Sequence, residues 1–101
     1  MAISSTISDD QKTVTIKMGD RFDFSCHSDL RNSYKDINTS GVVYVVDMQQ
    51  TNYVDSSGLG MLLLLKEHTE KYNSSVKVQN ANDQVVQLLK VAHFDQLFTI
   101  V

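Results

Sequence analysis

Residues 41–48, Gly-Val-Val-Tyr-Val-Val-Asp-Met, constrain the fold more than any other stretch. From Val42 to Val46 every residue is β-branched or aromatic, the types that suit a pleated strand. Both faces of such a strand are apolar. That is expected of a central strand covered on each side. Polar residues 49–52, Gln-Gln-Thr-Asn, break it. The chain then runs through Tyr53–Lys66, "YVDSSGLGMLLLLK", into an apolar segment with no further breaker. A buried strand, a short polar loop and a helix follow one another here, which is half of a βαβ unit.

The flanking residues extend this order. Ala2–Ile7 reads as a weak strand and Ser8–Gln11 as a turn. Val14, Ile16 and Met18 then alternate with Thr13, Thr15 and Lys17, the period of a half-buried strand, so an N-terminal hairpin is expected. Gly19 and Asp20 end it. Leu30, Tyr34 and Ile37 recur at helical spacing, predicting about three turns of helix from near Ser25, capped by Asp23 or Ser25. A second helix is expected over residues 57–72, apolar all round at first and polar later. Residues 74–80 alternate as a short strand. Val85, Leu88, Leu89 and Ala92 mark a third helix with Asn82 as N-cap, and residues 94–101 close the chain as a strand. The order β-β-α-β-α-β-α-β predicts an α/β fold. Its mixed sheet has about five strands, with helices packed mainly on one face and right-handed crossovers.

Composition narrows the functional classes. A chain of 101 residues suits one domain spanning 1–101. Nine basic against twelve acidic residues give a net charge of −3, which disfavours nucleic acid or an anionic membrane as partner. The longest apolar run, Met61–Leu65, is far short of the ~20 residues of a membrane span, and the N-terminus lacks a signal-peptide core. A cytoplasmic protein without membrane insertion is expected. Cys26 is alone, so no internal disulfide can form, and it reads as a small buried hydrophobe. One cysteine and the scattered His27, His68 and His93 predict no metal site, and nothing calls for a cofactor.

Four chemistries compete for the Asp55-Ser56-Ser57-Gly58-Leu59-Gly60 stretch. A serine nucleophile needs a histidine base, and the hydrolase elbow G-x-S-x-G lacks its first glycine here. A phosphate-binding P-loop needs Gly-Lys-Ser/Thr, and Lys66 comes too late. A helix cap accounts for one of Asp55, Ser56 and Ser57, but not for three polar residues and two glycines between buried segments. Modification is the fourth. A serine at an exposed loop–helix junction is open to a kinase, and a phosphate of about −1.5 to −2 charges is tolerated at a helix N-terminus.

"YVDSSGLGMLL" resembles the signature of the STAS family, specifically the small bacterial anti-sigma-factor antagonists. The pattern is an apolar pair, Asp-Ser-Ser/Thr-Gly-Leu-Gly and an apolar helix, and it is matched without a gap. The element order and length agree, so the resemblance covers essentially the whole chain. It implies a non-enzymatic partner switch. The free antagonist binds a serine kinase/anti-sigma factor of histidine-kinase-like ATPase fold. Phosphorylation on the serine after the signature aspartate breaks the complex, and a metal-dependent serine phosphatase restores it. Carried to this chain, the acceptor is Ser56, with Asp55, Ser57, Gly58, Leu59 and Gly60 around it in the partner surface. The family also has an aspartate just after the second strand. "GDRFD" is the counterpart, so Asp23 joins the surface, although one extra residue separates it from Gly19. The output implied is sigma-factor activity or another process such as biofilm formation or stress response. STAS domains also serve as scaffold subunits of membrane lipid-transport ATPase complexes, which would need no phosphorylation.

Overall fold

The computed structural model describes residues 3–101. Strands β1 (Ser4–Ile7) and β2 (Thr13–Lys17) form the antiparallel N-terminal hairpin. Ala2, which opens the expected first strand, lies outside the described residues. β2, β4 (Val43–Asp47), β6 (Ser75–Gln79) and β7 (Thr99–Ile100) are parallel, in the sheet order β1-β2-β4-β6-β7. Helices α1 (His27–Tyr34), α2 (Ser56–Lys71) and α3 (Asp83–Val91) connect successive parallel strands. The α/β architecture with an opening hairpin and a five-stranded mixed sheet is the one the sequence implies.

Register explains which face the helices cover. Val14 and Ile16 sit beside Tyr44 and Val46, which sit beside Val76 and Val78. All of these share one core with Leu30 and Tyr34 of α1, Met61, Leu62 and Leu65 of α2, and Val85 and Leu89 of α3. The helices therefore occupy one face only. The expectation that β4 is covered on both sides is corrected here. On the open face Val45 lies between Thr15 and Lys77, and these neighbours leave it only 6% exposed. A lysine stem and a threonine methyl shield an apolar side chain without a second layer.

Three other expectations change in detail. A 3₁₀ turn, Phe24–Cys26, precedes α1, which is just over two turns long rather than three. The end of the chain is not one strand, because Phe94–Gln96 forms a second 3₁₀ turn before the two-residue β7. The loops also contain two short parallel strands, β3 (Arg21–Phe22) and β5 (Tyr53–Val54), paired Arg21 with Tyr53 and Phe22 with Val54.

Without proline, and with one glycine at positive φ (Gly41, φ 74), α2 and α3 are stopped by other residues in the left-handed region. Asn73 (φ 53) follows α2, and the Ser74 N–H reaches back to the Thr69 carbonyl at 2.9 Å. His93 (φ 64) ends α3 in the same way, with its N–H on the Lys90 carbonyl.

The one-sided core makes a sharp contrast on α2. Leu65 is fully buried, while its neighbour Leu64 is 47% exposed. Leu65→Ala is expected to lower unfolding stability by about 2–5 kcal/mol. Leu64→Ala should change it by less than about 1 kcal/mol. Urea denaturation of the two variants checks the difference.

Candidate functional site

The site is built where β3 and β5 end. Their parallel pairing brings Phe22 and Val54 level, so Asp23 and Asp55 leave the pair side by side. Each aspartate then starts a helical turn in the same way. Asp23 Oδ1 accepts the Ser25 N–H at 3.0 Å and the Ser25 hydroxyl at 2.5 Å. Asp55 Oδ1 accepts the Ser57 hydroxyl at 2.6 Å and the Gly58 N–H at 3.1 Å. Of the two capping candidates offered for the first helix, Asp23 is therefore the cap, and it caps the 3₁₀ turn. Asp55 is the N-cap of α2. These bonds favour the charged carboxylates. The Ser57 hydroxyl first, then the Gly58 amide, holds Asp55 below the usual carboxylate range, against an opposing push from the nearby charge of Asp23. Asp23 is lowered chiefly by Ser25, with help from Arg21, whose Nε lies 3.5 Å away.

The repeated Asp-x-Ser cap leaves the middle residue outside. In one copy this is Phe24, 69% exposed, whose ring stacks on His27 at 5.2 Å. In the other it is Ser56. The two serines of the motif thus differ. Ser57 is half-buried and its hydroxyl is committed to Asp55. Ser56 is exposed, and its hydroxyl bonds to no described residue.

The two glycines differ as well. A Cβ on Gly58 would meet the Phe22 carbonyl oxygen at 2.6 Å, so only glycine permits this approach of helix and strand. A Cβ on Gly60 would meet nothing within 4 Å. Gly60 lies one turn below Ser56, with Leu63 (40% exposed) and Leu64 beyond it on the same outward side of α2. Leu59 is half-buried against the core. Met61, Leu62 and Leu65 are core.

The framework behind the loops was not read from the sequence. Tyr53 is 39% exposed, with the Arg21 guanidinium 4.1 Å above its ring. The loop 48–52 is held by polar groups. The Thr51 hydroxyl donates to the Gly19 carbonyl at 2.8 Å, and the Asn52 amide donates to Asp20 Oδ1 at 2.8 Å. Asn82 caps α3 through Oδ1 and donates through Nδ2 to the Thr51 carbonyl, at 2.9 and 3.2 Å. Only its capping half was legible. The sole available signal for the rest was that Thr51 and Asn52 are strong turn formers. Cys26 is 1% exposed and points its thiol at the Arg21 carbonyl.

Of the histidines, His27 stacks on Phe24 beside the site, and the other two lie on other parts of the fold. His68 is on α2 with Nε2 on the Ile37 carbonyl at 2.7 Å, and His93 is at the end of α3. Among the described residues no helix is long and apolar enough to cross a membrane.

Residues 5–101 match the family model described as "Mlab, STAS domain". The chain belongs to the STAS family. A STAS-domain containing protein of Pseudomonas aeruginosa (strain UCBPP-PA14) is 40% identical over 100 residues, covering 99% of each chain. Among solved structures, the anti-sigma factor antagonist SpoIIAA in its unphosphorylated form superposes with a TM-score of 0.72 at 16% identity, over 99% of this chain and 87% of that one. A sulfate transporter family protein from Wolinella succinogenes gives 0.77 at 16% identity, over 90% and 73%. These two likenesses establish the shared fold.

Two tests follow from the cap and the glycines. Gly58→Ala should destabilise the STAS domain by about 1–3 kcal/mol through overpacking on Phe22, whereas Gly60→Ala should stabilise it by up to about 1 kcal/mol, since alanine is the better helix former. Thermal melts distinguish the signs. For Asp55 the folded value lies below the unfolded one. Its contribution is present above the ordinary carboxylate range of about 4 and is lost as pH falls through the lowered folded value. Asp55→Asn should therefore lose less stability than wild type when urea midpoints at pH 7 and pH 3 are compared.

Proposed function

We propose that this STAS domain is a non-enzymatic partner switch of the anti-sigma-factor antagonist type. Unphosphorylated, it binds a serine kinase/anti-sigma factor of histidine-kinase-like ATPase fold. Phosphorylation at Ser56 releases it, and a metal-dependent serine phosphatase resets it. Asp23, Asp55, Ser56, Ser57, Gly58, Leu59 and Gly60 form the contact surface.

The observation that carries this reading is the difference between two adjacent hydroxyls. Ser57 is spent on the cap, while Ser56 is exposed and its hydroxyl has no partner among the described residues. A kinase can therefore take Ser56 without undoing the cap that starts α2. The added charge would sit beside Asp55 and Asp23, which their hydrogen bonds keep ionised. A partner shaped for the free form would meet like-charge repulsion of several kcal/mol. Each ~1.4 kcal/mol is a factor of ten, enough to disperse a micromolar complex. Gly60 adds support. No described residue requires glycine there, and its bare backbone permits close approach from outside. A second reading is a scaffold subunit of a membrane lipid-transport ATPase complex, the other role that the STAS resemblance implies.

Lysate pull-downs with wild-type, Ser56→Ala and Ser56→Asp baits separate the two. Ser56→Ala is expected to retain an ATPase-fold serine kinase that Ser56→Asp loses, with affinity lower by about a hundredfold or more. Mass spectrometry after incubation with that kinase and ATP should place the phosphate on Ser56, and Ser57→Ala should still accept it. Equal retention of one partner by all three baits would instead make Ser56 structural and favour the scaffold.

A further inference from the structure

A trough of about 410 Å³ runs between α1 and the lower half of α2; none of residues 53–60 lines it, and at one end His27 stacks on Phe24. It is lined by His27, Arg31, Tyr34 and Lys35 on one side and by Leu64, Glu67, His68, Lys71 and Tyr72 on the other. Three of the nine Lys and Arg residues of an acidic protein face this one cleft, against a single carboxylate, Glu67. The ion pairs among the described residues are Arg21–Asp23 and Lys66–Glu70, so Arg31, Lys35 and Lys71 are all unpaired. Their charge is not consumed within the fold and remains available to an incoming anion.

The floor is rigid and partly aromatic. His68 Nε2 faces a carbonyl oxygen, which can only accept, so this nitrogen carries the proton and the ring is fixed. Tyr34 and Tyr72 pack against that ring, with centroids 5.0 and 5.1 Å away. Leu64 is the one aliphatic side chain on the wall. A small-molecule pocket is typically lined mainly by apolar groups and encloses its ligand. An open trough between two helices, rimmed by cations with one aliphatic and two tyrosine contacts, suits a linear segment instead.

We propose that this trough is a second docking surface, for an acidic linear segment of a partner protein. Arg31, Lys35 and Lys71 meet its carboxylates, and Leu64 and Tyr72 take its apolar side chains. The proposal rests on the reading that this domain works by binding proteins, but it does not involve Ser56. Along the axis of α2, Leu64 lies about 12 Å and Lys71 about 22 Å from Ser56 at 1.5 Å per residue. Both exceed the screening length of about 8 Å at physiological salt. Docking here is therefore insensitive to the charge at Ser56. A partner could stay tethered through the trough while the Ser56 surface is released.

The test uses a fluorescein-labelled synthetic peptide of glutamates interspersed with leucines, followed by anisotropy and by amide NMR shifts on the full chain. Shifts are expected at Arg31, Lys35 and residues 64–72. Arg31→Glu combined with Lys71→Glu should weaken binding by about tenfold or more, as loss of two charge contacts predicts. Glu67→Gln should tighten it, a gain that misfolding cannot imitate. Ser56→Asp should leave it within about twofold, so failure of the phosphorylation reading and failure of this one give different results. The proposal is overturned if charge reversal leaves affinity unchanged, if the shifts fall outside the trough, or if a lysine–leucine peptide binds equally well. Citrate reproducing the same shifts at equal concentration would also overturn it, in favour of a small-anion site.

Discussion

The contact between Gly58 and Phe22 sets the geometry on which the site depends. Phe22 is fully buried, and the first turn of α2 rests directly on its carbonyl. Any side chain at position 58 would push helix and strand apart. With the gap closed, the β3–β5 pair and the α2 N-terminus act as one body. Asp23 and Asp55 must then emerge as neighbours despite their separation in sequence. Burial of one aromatic ring thus positions two carboxylates. The two outward residues, Phe24 and Ser56, follow from the repeated cap.

That arrangement holds negative charge together at low internal cost. Two neighbouring carboxylates repel, and repulsion alone would raise their proton affinity. Here short bonds from Ser25, Ser57 and Gly58 outweigh it, and both groups stay ionised. The hydrogen bonds that start the two helical turns are the same bonds that stabilise the charge. Local folding and surface potential are therefore one property. A modification that spares the caps changes the potential and leaves the fold.

Much of this was legible because it depends on nearest neighbours in sequence. Asn82 before Val85 is a capping pattern and caps as expected, and of the three candidates Asp55, Ser56 and Ser57 before the apolar helix it is Asp55 that caps. The alternation of Val14, Ile16 and Met18 fixes a face, because side chains in a strand alternate strictly. What was hidden depends on who lies alongside. β4 reads as buried on both faces, yet one face is shielded only by Thr15 and Lys77 from the adjacent strands. β3 and β5 are two residues each, too short for any period. The Asn82–Thr51 bond joins residues 31 positions apart through an amide whose other end is the visible cap. Arg31, Lys35 and Lys71 carry no common motif, and only the packing of α1 against α2 collects them.

The domain therefore has two electrostatic regions carried by one helix. At its N-terminus α2 meets Asp55 and, across the strand pair, Asp23. Toward its C-terminus it faces Arg31, Lys35 and its own Lys71. The helix dipole favours this order, with anions at the start and cations at the end. A net charge of −3 hides the separation, since the two regions nearly cancel in the total. Solvent screening over about 8 Å keeps them independent. A charge added at Ser56 thus acts on whatever touches the N-terminal face and not on the trough. One compact fold in this way carries an anionic face and a cationic one on a single helix.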